Sequence, residues 1–522
     1  MSQFDVIVVG SGVNSLVSAS LLGNAGKKVL VVEQLDQLGG MASTSEFSPG
    51  FKCNLINDGV KWIDPRALEK LKLKDHGLKL IQPNHVRVAL DNNGNHITFH
   101  HNPDNTAKSI VKHSKKDSKA WKEFTEYVNK LAQFLEKLYN ITPPNLPNIG
   151  IKEALGMRSM LGPITKYGTR GVVDLARVIP MMIPELVDEW FENKLLRAAI
   201  AAAGIHQLSF GPFAAGTGYN LLHQHVHSCG VFHNFQFIKG GSIKLVNALK
   251  SSAKENDVEF RTNSKVSTIN IENGICIGVT INDDKILKAK NVVSGLDPNN
   301  TFFNLVGKAN LDPSFQIQLN NIRYRGSTAR IHFALNELPK IKGLSENQMG
   351  TIFSIAPSIE YLERASDSVK YGQIPENPYV EFTVPSIINK NFSPDGKHVL
   401  SATIQYAPYY LRNQNWSARL NEQLKQNTIA VLEKYIPNFT SQIESSLVLS
   451  PADIETRFGL TEGNLNHGEM TLDQFMFMRP TMSTAQYKTP IKNLYLCGAG
   501  THPGGGLHGA NGVNASQAVL KG

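Results

Sequence analysis

Near its start the chain carries residues spaced for binding a dinucleotide. Gly10 and Gly12 stand in "VVGSGVNS", and Glu33 ends "KKVLVVE". A glycine at the first position permits a tight turn out of a strand, and one at the second lets a pyrophosphate reach the backbone. The phosphates then sit on a helix N-terminus, whose free N–H groups and dipole favour negative charge. A carboxylate about 20 residues beyond the glycines is placed to accept ribose hydroxyls. Ser15 occupies the position where this fingerprint has a third glycine. Its extra CH₂OH is expected to cost on the order of 1 kcal/mol or less, with the hydroxyl bonded back to the helix backbone or capping its first turn.

Those residues can act together only if particular elements hold them. Residues 4 to 9 read as a short apolar strand and 13 to 23 as a helix, closed by Gly26. The following apolar run reads as a second buried parallel strand ending at Glu33. Residues 237 to 295 predict a helix after Gly240 and Gly241, strands near 258–261, 266–271 and 276–281, and a returning apolar strand at 291–294. At the far end, residues 493 to 522 read as a strand, a glycine-rich loop and a last helix beginning near Gly512. Seven glycines from Gly498 to Gly512 inclusive suit a backbone lying close against a planar ligand.

After Glu33 comes "EQLDQLGGMAST". Here the chain resembles a large flavoprotein superfamily in which the turn, the acid and a following glycine pair bind FAD together. The resemblance gives Gly39 and Gly40 a second contact to the FAD diphosphate. Many members have arginine next; Met41 stands here and brings no charge. A reduced flavin carries negative charge near N1, which the N-terminus of the last helix, about half a positive charge, would stabilise. The resemblance also brings backbone groups of Val266 to the adenine. The cofactor-binding candidates are Gly10, Ser11, Gly12, Asn14, Ser15, Glu33, Gln34, Gly39, Gly40, Met41, Val266, Gly498, Gly500, Gly509, Gly512 and Val513, holding FAD without a covalent bond.

Along its whole length the sequence resembles the phytoene desaturase and carotenoid isomerase group of FAD-dependent oxidoreductases. The resemblance rests on "GTGYNLLHQ" at 216–224, "GLTEGNLNHGEMTLDQFMFMRP" at 459–480 and "CGAGTHPGGGLHGANGVNAS" at 497–516. It implies an α/β chain: a Rossmann-like FAD-binding domain of the glutathione-reductase type, with a mixed-sheet and helical substrate domain. Residues 1–65, 233–310 and 481–522 are expected to form the first, and 66–232 with 311–480 the second. The implied reaction is desaturation, saturation or isomerisation of a hydrophobic, polyene or isoprenoid-like substrate. The alternative is a flavoprotein with a regulatory or partner-binding role and a vestigial redox site.

Other classes are disfavoured. Of the four cysteines, Cys53, Cys229, Cys276 and Cys497, no two form Cys-x-x-Cys, so a redox dithiol is not expected. No second Rossmann turn for NAD(P)H follows. The net charge of +9 comes without aromatic interleaving or a recognisable nucleic-acid module. No run of 18 apolar residues suggests a membrane span, no leader is expected before the first strand, and few cysteines suit an expected cytoplasmic protein. Residues 169–190 mix apolar side chains with Arg170 and Arg177; they read as a cavity wall or, alternatively, as a peripheral membrane contact.

The substrate-side candidates are Tyr219, His223, His502 and His508. His223, His225 and His227 would share a face only on a strand; on a helix they diverge, and no metal site is expected. Residues 150–230 are rich in Leu, Ile, Met and Ala, which predicts a mostly apolar tunnel reaching the flavin and opening beside 169–190. Apolar burial there would contribute about 25 cal/mol per Å².

Overall fold

In the computed structural model, which describes residues 3–92, 94–144 and 161–522, there are two large sheets, and a helical layer packs against the second. The first sheet begins with β1 (Phe4–Val9) and β2 (Val29–Val32), joined by helix α1 (Val13–Asn24). Strands Glu259–Arg261, β2, β1, Lys285–Ser294 and Leu494–Leu496 pair in parallel, in that spatial order. Val266–Glu272 and Ile275–Ile281 extend it as an antiparallel meander onto the first half of Lys285–Ser294. A parallel sheet covered on both faces needs continuous apolar strands. Val6, Val8, Val29 and Val31 are accordingly as buried as Ile7 and Leu30, each contributing about 1.5–3 kcal/mol. This is the Rossmann-like α/β architecture.

Helix α1 is buried almost all round, which explains its serines and alanines. Ser20 satisfies its hydroxyl on the Leu16 carbonyl at 2.7 Å. The last helix, Ala510–Lys521, lies directly against α1. A side chain at Gly512 would drive into the Asn14 carbonyl oxygen, so the glycine is required by helix contact.

The second sheet runs in the order Ile443–Leu449, Thr328–Leu335, His398–Gln405, Tyr379–Thr383, Ile352–Ile355, Arg87–Leu90, His96–Phe99. Its pairs are antiparallel except the one between Ile352–Ile355 and Arg87–Leu90. The period-two alternation of strands is plain here. Ile331, Phe333, Val380, Phe382, Leu400 and Ala402 share one apolar core. Arg330, His332, Glu381, Thr383, Ser401 and Thr403 occupy the other face.

Helices Lys115–Tyr139, Leu161–Val178, Ile183–Asp188, Lys194–Gly204 and Thr217–Gln224 form the helical layer. Trp121, Phe124, Phe191 and Phe232 pack in its centre. The lysine-rich stretch 107–122 lies in helices Pro103–Ile110 and Lys115–Tyr139 and the short turn between them. Residues 145–160, part of the expected apolar cap, lie outside the described residues. A small sheet of Gly59–Val60, Gln236–Ile238 and Leu80–Ile81 ties the segments together.

Candidate active site

A cavity of about 610 Å³ lies at the C-terminal ends of β1 and β2, large enough for a drug-sized or larger ligand. Of the cofactor-binding candidates, Gly10, Ser11, Gly12, Glu33, Gln34, Gly40, Met41 and Val266 line it. Gly10 has φ +84°, a left-handed conformation that glycine adopts without penalty. Nothing lies within 4 Å of where a Gly12 side chain would be. The N-terminus of α1 has no side-chain cap and no acid in its first turn, leaving its N–H groups free for phosphate.

The acid is already partly engaged. Glu33 Oε2 accepts the Ser11 N–H at 3.0 Å and its hydroxyl at 2.6 Å, while Oε1 accepts the Leu35 N–H at 2.9 Å. About one of a carboxylate's four acceptor positions is left for a ribose hydroxyl. Ser11 Oγ also accepts the Gly39 N–H at 3.1 Å, so Gly39 supports the turn while Gly40 lines the cavity.

Ser15 behaves differently from its sequence reading. Its hydroxyl faces Cys497 Sγ at 3.8 Å instead of the helix backbone. A side chain at Gly295 would collide with it. The glycine missing from the helix is thus supplied by the opposite segment. Asn14 lies on the α1 face toward Gly512, with its side-chain oxygen buried and unpartnered.

Gly498, Gly500, Gly509, Gly512 and Val513 line neither this cavity nor the next. Side chains at the four glycines would meet Gly295, His467, Val17 and Asn14 respectively, and Val513 packs with Val13 and Val17. Close protein packing, not only a planar ligand, accounts for this glycine-rich stretch. Sequence reasoning missed Lys265 and His467, which also line the cavity; His467 Nδ1 is buried without a partner.

A second cavity, of about 160 Å³, adjoins the first. Leu465 and Asn466 line the second and His467 the first. Buried Arg479 fixes this partition by donating to the carbonyls of Asn466 (2.7 Å), Gly468 (3.0 Å) and Ala499 (3.0 Å). Residues 505–508 of the glycine loop form one wall, and the polar face of the second sheet forms another. The lining is mixed instead of mostly apolar: Val60, Trp62, Phe235, Ile352 and Leu507 stand beside charged groups. Arg87 Nη1 donates to Glu381 Oε1 at 2.5 Å, and Tyr379 donates to the same oxygen at 2.5 Å. Burial alone would raise the Glu381 carboxyl, but the guanidinium beside it wins and holds it at about 2. Arg330 pairs with Asp58 at 2.9 Å, and Thr383 donates to the same carboxylate at 3.0 Å. Among the described residues, none from 169–190 lines either cavity. The signal that could have found Arg87, Arg330 and Glu381 is the alternation within "HVRVAL", "STARIHFAL" and "YVEFTV". It marks a polar strand face, and here that face is buried.

Of the substrate-side candidates, His223 and His508 line this cavity, whereas Tyr219 and His502 stand behind it. His223 Nδ1 lies 2.6 Å from the Tyr139 hydroxyl. His502 donates to the Leu138 carbonyl at 2.9 Å. Both His508 nitrogens serve the loop: Nε2–H donates to the Gly505 carbonyl at 3.1 Å and Nδ1 accepts the Ala510 N–H at 3.1 Å. Burial pushes His508 down to about 4, which preserves that arrangement at neutral pH. His223 is in helix Thr217–Gln224 and His225 caps it, so the three histidines diverge; among the described residues no cluster could hold a metal.

Residues 16–520 match the flavin-containing amine oxidoreductase family. The chain belongs to this family. The open pyrophosphate approach at Gly12, the acid at Glu33 and the volume of the first cavity fit a dinucleotide, so the flavin is FAD. The chain is 29% identical to pyridine nucleotide-disulfide oxidoreductase domain-containing protein 2 of Rattus norvegicus, over 99% of this chain and 94% of that protein. It is 24% identical to the lycopene-forming phytoene desaturase of a Paracoccus species, over 98% and 96%. An oxidoreductase from Methanosarcina mazei shares its fold, with TM-score 0.62 and 15% identity over 99% of this chain and 100% of that one. The buried thiol of Cys497 is pushed up to about 12 by burial, which leaves it unreactive. No helix among the described residues is long and apolar enough to cross a membrane.

Proposed function

We propose that this flavoprotein oxidises an elongated organic molecule with an apolar body and a polar end, at the junction of the two cavities. Bound FAD supplies a two-electron acceptor for the two hydrogens that leave a saturated carbon pair. The observation that carries the reading is the second cavity, bounded by the glycine loop on one side and by a buried polar sheet face on the other. Gly12 and the N-terminus of α1 would hold the diphosphate and Glu33 a ribose hydroxyl. Residues 505–508 close the wall, and His508 keeps that loop in one conformation. Val60, Ile352, Phe235 and Leu507 receive the apolar body.

A phytoene desaturase by its name acts on phytoene, and that relationship supports an isoprenoid-like body. A pure hydrocarbon, however, would strip water from the paired charges of the wall and offer no polar group in return, at a cost of several kcal/mol. A polar terminus removes that conflict. Exposed Val172 and Val173 stand beside Arg170 in the segment Leu161–Val178, after its break at Gly168, which supports peripheral contact with an anionic lipid surface. Arg177 takes no part, being paired with Glu189 at 2.6 Å. The four unpaired cysteines support a reducing, cytoplasmic setting.

Anaerobic addition of isoprenoid hydrocarbons, alcohols and acids to the yellow holoprotein tests the reading. Bleaching of the flavin band by chains with a polar end is the expected result. No bleaching by any of them, with dithionite still reducing the flavin, would favour the partner-binding role instead.

A further inference from the structure

We infer that Lys61 is a carboxylate anchor, selecting substrates whose polar end is an acid; this rests on the second cavity being the substrate site. Lys61 is half-buried and its remaining surface faces that cavity. Its neighbours in the wall are already matched: Arg87 with Glu381, and Arg330 with Asp58. Among the described residues Lys61 has no carboxylate within ion-pair distance; its recorded partner is the side-chain oxygen of Gln224. Gln224 presents that oxygen because its amide N–H donates to Asn220 Oδ1 at 3.3 Å. Asn220 in turn donates to the carbonyls of Gly204 and His206, both at 3.1 Å. The chain of amides therefore fixes the ammonium without neutralising it.

An ammonium has three donors, and one is spent on Gln224. The others meet a cavity whose two ion pairs cancel, so an uncompensated positive charge points at the ligand. Burial pushes Lys61 down to about 7, against the pull of Glu381. The histidines that face it do not compete near neutral pH. Burial holds His206 at about 3 and His225 at about 4, and His223 and His233 well below their usual value. A bound carboxylate would restore the charge on Lys61, so ligand and proton should enter together. A bulky cation or an uncharged end could not use the site in this way.

The test uses the holoprotein and three probes of equal chain length: hexanoate, hexan-1-ol and hexylammonium. Binding is followed by perturbation of the flavin spectrum and by calorimetry in two buffers of different ionisation enthalpy. Hexanoate should bind at least tenfold more tightly than the other two, with proton uptake at pH 7. Its affinity should fall above pH 7, approaching about tenfold per pH unit, while that of hexan-1-ol stays flat. Lys61→Met should erase the preference and the proton uptake while keeping flavin content and thermal midpoint. Equal affinities for acid and alcohol in the unmodified protein, or an unchanged preference in a folded Lys61→Met, would overturn the assignment. Either result would leave flavin reduction by a substrate, the measurement behind the broader function, standing on its own.

Discussion

The rings of Trp62 and His508 stack 4.4 Å apart and within 6° of parallel, and His227 lies on Trp62 at 4.6 Å. A tryptophan from the N-terminal segment is thereby clamped to the glycine loop near the C-terminus. The Asp64 N–H reinforces the junction by donating to the His508 carbonyl at 2.8 Å. Trp62→Ala removes two ring contacts worth about 0.5–1.5 kcal/mol each beyond area. With the lost burial, a destabilisation of about 2–4 kcal/mol is expected. Trp62→Phe should cost less than half of that. Denaturant unfolding of the holoprotein checks both values, and equal costs would show that stacking on His508 contributes little.

Two glycines separate ligand space from packing space. Gly12 has open space where a side chain would go, so Gly12→Asp is expected to fold normally but lose FAD, its carboxylate opposing the pyrophosphate. Gly512→Ala meets the Asn14 carbonyl and must push the last helix from α1, at a cost of about 1–3 kcal/mol. Flavin content and thermal unfolding, measured with and without added FAD, distinguish the two. Full FAD occupancy in Gly12→Asp would misplace the phosphate site.

The Arg87–Glu381 pair sets an acid limit on stability. The folded Glu381 carboxyl lies at about 2, below an ordinary glutamate at about 4.3. Its contribution is therefore present above about pH 4.3 and lost as pH falls toward 2. Glu381→Gln removes this acid-dependent part and leaves the Arg87 guanidinium buried without its counter-charge, costing about 3–5 kcal/mol at neutral pH. A pH series of denaturant midpoints for both proteins checks the sign; a parallel acid limb in the variant would assign that limb to other carboxylates.

NADH or NADPH alone is expected to reduce the bound flavin slowly or not at all. The first sheet supplies one phosphate turn, at residues 10–12, and the Gly216–Gly218 pair lies at the start of a helix with no strand before it and no ribose acid beyond. Stopped-flow bleaching under anaerobic conditions measures this. Rapid reduction at ordinary saturating concentrations would require a nucleotide site built from other elements.

Local patterns in the sequence determined the cofactor end of the molecule. The apolar run at 4–9, the paired glycines and the acid at 33 are each short-range signals, because strand, turn and helix are set by neighbouring residues. The same holds for the last strand and helix, whose apolar residues and preceding glycines lie within one stretch. What packing decided was the use of each position. Ser15 is tolerated because Gly295 makes room for it from a segment 280 residues away. Gly512 serves helix contact, and His508 serves its own loop. The character of the second cavity was beyond any local reading. Lys61, Arg87, Arg330 and Glu381 come from four separate segments, and each alone resembles an ordinary surface charge. The strands of Arg87, Arg330 and Glu381 bury their polar face as well as the apolar one, and only the tertiary structure brings Lys61 beside them, where low dielectric makes pairing compulsory and leaves Lys61 unmatched.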